Sequence, residues 1–130
     1  MNTELMYLVW ITVFTAVLWI PYILDRIGVW GLADTVGYPD NPKVQSPWAR
    51  RMRAAHANAV ENLVIFASLV LAAHIAGISN GTTVFACALY FWARIVHVLC
   101  YTAALPWART LAFVAGFVAQ MILAWQLIMH

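Results

Sequence analysis

The chain has 130 residues, of which 65% are apolar and 9% charged, against roughly 45–50% and 25% for ordinary soluble domains; a soluble globule is excluded. Seven Lys or Arg against five Asp or Glu leave a net charge of +2, too small and too scattered for the basic face that nucleic-acid binding needs. Spanning a ~30 Å hydrocarbon layer takes ~20 helical residues, so four spans with short loops use up residues 1–130 as one domain: an all-α, integral membrane four-helix bundle.

Leu5 to Leu24 carry no charge and are followed by Asp25-Arg26, which predicts a first helix over about residues 4–24, with Asn2 or Thr3 as its cap. A cleaved signal peptide would want a basic start, whereas the only early charge is Glu4, so the segment is expected to stay in the mature protein. Residues 28–46 hold Gly28, Gly31, Gly37, Pro39 and Pro42 and read as the one substantial loop. Ser46-Pro47 fits an N-cap followed by Pro at the first helical position, opening a second helix over 47–76 that Gly77 stops. At ~1.5 Å per residue that helix is longer than the membrane is thick, so Arg50, Arg51 and Arg53 in its first turns project from the bilayer. After the turn Ser79-Asn80-Gly81, a third helix is predicted over 82–104, interrupted by Arg94, and Pro106 opens a fourth over 106–129. Cys87 and Cys100 lie thirteen residues apart on the third helix, beyond disulfide reach.

The first loop and its flanking helix ends carry Arg26, Lys43, Arg50, Arg51 and Arg53, while the second connection carries no cation. By the positive-inside rule the first and third loops are cytoplasmic and both termini lie on the opposite side. Trp30, Trp48 and Trp107 sit near the cytoplasmic ends, where interfacial aromatics belong.

An ionisable group inside a span costs roughly 2.5–3.5 kcal/mol on insertion scales, so each one calls for a partner or a purpose. Glu61 and Arg94 fall at depths of about 12 and 16 Å from the same interface at ~1.5 Å per residue, which makes them candidates for an ion pair. Taken alone, such a pair would only fix helix register. Their company points further. Arg51, Asn58, Glu61, Asn62 and Ser68 form one stripe on the second helix; Arg94, His97 and Tyr101 share a face of the third; Arg109 and Thr110 open the fourth. A small, multiply charged ligand entering from the cytoplasm suits this set. His56, roughly opposite Asn58, reads as a packing or subunit-contact residue, and His74 has no charged neighbour in sequence. A haem held by His56 and His97 fails on depth, and no metal site is expected. Ala112 and Gly116 form a small-xxx-small pair with Gln120 one turn on as an interhelical hydrogen bonder.

The run Arg51-Met-Arg-Ala-Ala-His56-Ala-Asn58-Ala-Val-Glu61-Asn62, with Ala93-Arg94-Ile-Val-His97-Val-Leu-Cys-Tyr101 and Arg109-Thr110, resembles the MAPEG family, the membrane-associated proteins in eicosanoid and glutathione metabolism, in a bacterial form. The resemblance covers about residues 47–129. It implies a homotrimer in the bacterial inner membrane, with glutathione as cofactor between subunits near the cytoplasmic face. It implies glutathione contacts from Arg51, Asn58, Glu61, Arg94, His97 and Tyr101, and catalytic roles for Arg109, which stabilises the thiolate, with Thr110 and Tyr101 beside it. The expected activity is that of a glutathione-dependent transferase or peroxidase acting on a lipophilic electrophile or hydroperoxide. Eicosanoid synthases of the family have Arg at the place of Ala54, and one of them also at that of Ala57, which leaves Arg94 or the group Arg50, Arg51 and Arg53 to hold glutathione's carboxylates. The competing readings are an inactive scaffold with the family fold and a small proton-coupled multidrug exporter working through Glu61.

Overall fold

The structure, a computed structural model, describes all residues from Met1 to His130. Its helices are α1 (Thr3–Val17), α2 (Trp19–Trp30), α3 (Leu32–Val36), α4 (Pro47–Ile75), α5 (Gly81–Thr102) and α6 (Pro106–Ile128). α1 and α2 make one stretch, Thr3–Trp30, so four helical segments are long and apolar enough to cross a membrane. The protein is thus an all-helical integral membrane protein with several spans.

Asn2 opens α1 by accepting the backbone N–H of Leu5 at 2.9 Å. The break at Leu18 precedes Pro21, which supplies no N–H and crowds the carbonyl four residues back. Asp25 and Arg26 do not end the helix as the sequence suggested: α2 continues to Trp30. The reason is that their side chains find partners at the start of α4. Asp25 accepts the backbone N–H of Ser46 at 3.1 Å and the Ser46 hydroxyl, while Arg26 Nε donates to Gln45 Oε1 at 3.2 Å. Ser46 is therefore at the N-cap position without its hydroxyl accepting a helix N–H; Asp25 takes that hydroxyl instead. The intervening residues 28–46 are not all loop, since α3 forms within them.

The two remaining turns are built alike. After α4, Gly77 at φ +72° lets Ile78 N–H reach Ala73 O at 2.9 Å and Gly77 N–H reach His74 O at 3.2 Å, the paired bonds of a Schellman cap. After α5, Leu105 N–H bonds Cys100 O at 2.9 Å and Ala104 N–H bonds Tyr101 O at 3.2 Å, but the left-handed position is Ala104, at φ +61°. Between them, Asn80 and Thr83 close a capping box that starts α5.

α5 is the most enclosed element. Ile11, Phe66, Val70, Ala86, Cys87, Tyr90, Ala119 and Leu123 form the main core, with the rings of Phe66 and Tyr90 stacked at 3.9 Å. A smaller cluster of Leu18, Ala55, Ala59 and Val98 lies toward the other end. Only 25 of 130 residues are buried, so most apolar side chains face outward, as those of lipid-facing helices do. α6 packs on α5 through small residues: a Cβ on Gly116 would stand 3.4 Å from Arg94 Cδ. Gln120, buried beside it, donates from Nε2 to Asn62 O at 3.1 Å and so ties α6 to α4. At the far end Glu4 is buried and accepts from Ser79 Oγ at 2.9 Å, fastening α1 to the α4–α5 turn.

Candidate functional site

Arg94 stands at the centre of the polar residues. It is 2% exposed, and its Nη2 donates to Asn58 Oδ1 at 2.7 Å. Asn62 Nδ2 steadies the same residue by donating to Asn58 O at 2.9 Å. Nε and Nη1 of Arg94 are buried without a partner. The ion pair anticipated between Glu61 and Arg94 does not form, because Glu61 is exposed. Asn58 lies at the edge of the arc that α4 buries, and three more residues turn Glu61 a further ~60° outward. Ser68, on the same stripe, is exposed too, and its hydroxyl donates back to Val64 O at 2.7 Å.

His97 and Tyr101 follow Arg94 along one face of α5. His97 is 2% exposed and its Nδ1 has no partner; its ring meets Tyr101 edge-on at 5.7 Å and Phe113 of α6 at 6.1 Å. The short turn through Ala104 folds α6 back at once, and Pro106 starts it, so that Arg109 returns beside Tyr101 although eight residues separate them. The Arg109 guanidinium lies 5.0 Å from the Tyr101 ring centroid, a cation–π contact that holds the charge over a fixed surface.

Two clefts flank this pair. One of about 290 Å³ is lined by Asn58, His97, Tyr101, Arg109, Thr110 and Phe113. The other, about 220 Å³, is lined by Arg51, Cys100, Tyr101, Arg109 and the turn Ala104–Pro106. Arg51 is held there by donating from Nε to Thr102 O at 2.9 Å, one of the carbonyls that the end of α5 leaves free. No carboxylate lines either cleft, and the guanidinium groups, Arg51 and Arg109 in the smaller and Arg109 alone in the larger, give both a positive character suited to an anionic ligand.

Of the residues singled out in the sequence, Asn58, His97, Tyr101, Arg109 and Thr110 share the larger cleft and Arg51 borders the smaller. Arg94 stands behind Asn58 rather than in a cleft wall, and Glu61 lies outside both. Thr110 is exposed, with its hydroxyl donating to Pro106 O at 2.9 Å. Phe113 and Cys100 were missed. Their signal was positional: Phe113 is one turn past Arg109, and Cys100 precedes Tyr101. His56 packs between helices, with Nδ1 2.7 Å from Tyr22 Oη. No three His, Cys, Asp or Glu side chains come together as a metal would require.

Comparison with known proteins finds no match among curated sequences or solved structures. The family model described as MAPEG family matches residues 8–129, nearly the whole chain, and the protein belongs to the MAPEG family, a group of membrane proteins of eicosanoid and glutathione metabolism.

Proposed function

We propose that the protein is a glutathione-dependent membrane transferase or peroxidase, working as a homotrimer on a lipophilic electrophile or hydroperoxide. The observation that carries this reading is the Arg109 guanidinium poised over Tyr101 at the wall of a cleft without carboxylates. A thiol of pKa near 8.5 is only a few per cent thiolate at neutral pH, and a cation beside the sulfur raises that fraction. Arg109 has that role, with Thr110 and Tyr101 beside it. A glutathione carboxylate falls to Arg51, while Asn58 and His97 contact the peptide portion. Arg94 acts through Asn58, whose side chain it holds. Glu61, facing outward, is placed for the ammonium group of a ligand held against a neighbouring copy.

In conjugation the thiolate sulfur attacks an electrophilic carbon and the leaving group departs with the bonding electrons. In peroxide reduction the sulfur attacks one peroxide oxygen, the O–O bond breaks, and the alkoxide takes up a proton; a second glutathione then reduces the sulfenic acid. Both routes need a water-poor approach for the lipophilic partner, which lateral entry from the bilayer supplies.

Family membership favours thiol chemistry over export through Glu61. One observation favours an inactive scaffold: Ala54 and Ala57, both exposed on α4, stand where eicosanoid synthases of the family carry Arg, which leaves Arg50 and Arg53 as the exposed guanidinium groups of that helix. Titration of the detergent-purified protein with glutathione, followed by assay with a chlorodinitrobenzene and with an organic hydroperoxide, decides between them. Saturable binding with turnover of either substrate supports the enzyme. Absence of binding at millimolar glutathione supports the scaffold.

A further inference from the structure

The connection from α2 to α4 encloses a small polar cleft that takes no part in the thiol chemistry above. It measures about 100 Å³ and is lined by Trp30, Asp34, Pro39, Asn41, Pro42 and Lys43. Trp30 braces it: its Nε1 donates to Lys43 O at 2.6 Å, and the Arg26 guanidinium lies 4.7 Å from its ring centroid. Pro39 and Pro42 fix φ where the chain turns back toward α4. The cleft sets a carboxylate and an ammonium around one space, unlike the two clefts beside Arg109, which no carboxylate lines.

Its surroundings belong to the headgroup layer of a bilayer. Trp30 ends the first membrane-length stretch, and indole rings collect at that level. Beyond it Leu32, Val36, Tyr38 and Val44 are all exposed, a large apolar surface for a segment bathed in water alone. Leu32 and Val36, four residues apart, share one side of α3, while Asp34, two residues from each, falls on the other. Interfacial segments divide in this way, with apolar side chains toward the acyl boundary and polar ones toward the headgroups. Charge then selects the headgroup. Residues 26–46 carry Arg26 and Lys43 against Asp34 and Asp40, so the segment is neutral and offers an anionic lipid no net attraction.

We propose that this cleft binds the headgroup of a zwitterionic phospholipid with a primary ammonium, of the phosphatidylethanolamine class. The Lys43 ammonium donates to the phosphate, and the Asp34 carboxylate accepts N–H bonds from the ammonium of the lipid, both charge-assisted. A choline headgroup has no N–H to give Asp34 and loses that contact.

The test mixes the full-length protein, purified in detergent, with equimolar phosphatidylethanolamine, phosphatidylcholine and phosphatidylglycerol of identical acyl chains and counts retained lipids by native mass spectrometry. One phosphatidylethanolamine per chain should be held about tenfold more tightly than either other lipid, the worth of one charge-assisted hydrogen bond. Asp34→Asn should erase the preference for ethanolamine over choline, whereas Lys43→Gln should lower retention of all three lipids. Both side chains are exposed, so both variants should melt with the parent protein. Equal retention of the ethanolamine and choline lipids, strongest retention of phosphatidylglycerol, a preference that survives Asp34→Asn, or retention unchanged in Lys43→Gln would overturn the inference. Displacement of the lipid by free phosphoethanolamine at millimolar concentration would overturn it too, by making the ligand a soluble one.

Discussion

Arg94 Nη2 and Asn58 Oδ1, 2.7 Å apart, form the bond that joins α5 to α4 beside the site, in the place where the sequence suggested an ion pair with Glu61. A buried guanidinium held by a neutral amide is an expensive arrangement unless something else approaches it, and two of its nitrogens are still free.

Asn58→Leu is expected to lower stability by about 1.5–3 kcal/mol, the worth of a hydrogen bond to a charged group, because it strands Arg94. Asn58→Asp, which keeps an acceptor and adds a countercharge, should retain the fold. Glu61→Gln should change stability by less than about 0.5 kcal/mol, as exposed substitutions do, while weakening glutathione binding. Thermal unfolding beside calorimetric titration checks all three; a large stability loss in Glu61→Gln would restore the ion pair.

Gly116 faces the stem of Arg94, and a Cβ there would stand 3.4 Å from Arg94 Cδ. Gly116→Ala should be tolerated, with its better helix propensity, ~1 kcal/mol, offset by crowding. Gly116→Leu should cost about 1–3 kcal/mol by forcing α6 off α5, and glutathione affinity should fall with it because Arg109 and Phe113 ride on α6. Unaltered affinity in a folded Leu variant would mean that the α5–α6 spacing does not set the cleft.

The two Schellman turns give a matched pair. Ala104→Gly relieves a left-handed alanine and should raise stability by up to ~1 kcal/mol, whereas Gly77→Ala should lower it by ~1–2 kcal/mol. Melting temperatures moving in opposite directions are the expected readout, and a fall in Ala104→Gly would show that no strain resides at that turn.

The distribution of Arg26, Lys43, Arg50, Arg51 and Arg53 sets the expected sidedness. With single cysteines at Lys43 or Asn80 in a background lacking Cys87 and Cys100, an impermeant reagent on intact cells should label the Asn80 position only. Labelling at the Lys43 position alone would put the clefts on the outside.

The number and approximate extent of the spans could be read from charge-free runs and from Pro47, Gly77 and Pro106, because these features act locally. Whether Asp25 ended a helix could not, since its partner, Ser46, lies twenty-one residues away and only the fold brings them together. The same holds within the site. Depth along the helices placed Glu61 and Arg94 at similar levels, but depth says nothing of rotation, and the arc that α4 buries turns Asn58 toward Arg94 and Glu61 away. Spacing brought His97 and Tyr101 onto one face, whereas the return of Arg109 over Tyr101 depends on a tight turn at an alanine, where sequence preference would ask for glycine.

The central claim, that Arg109 holds the sulfur of glutathione as thiolate, is tested most directly by the ultraviolet thiolate absorbance of bound glutathione across pH in the parent protein and in Arg109→Leu. Arg109 is half-buried at a helix start and its loss strands no buried partner, so the variant should fold and assemble as the parent does. The midpoint should lie below the ~8.5 of a free thiol in the parent and return to about that value in Arg109→Leu. Thiolate absorbance that persists undiminished in a folded Arg109→Leu protein would contradict it.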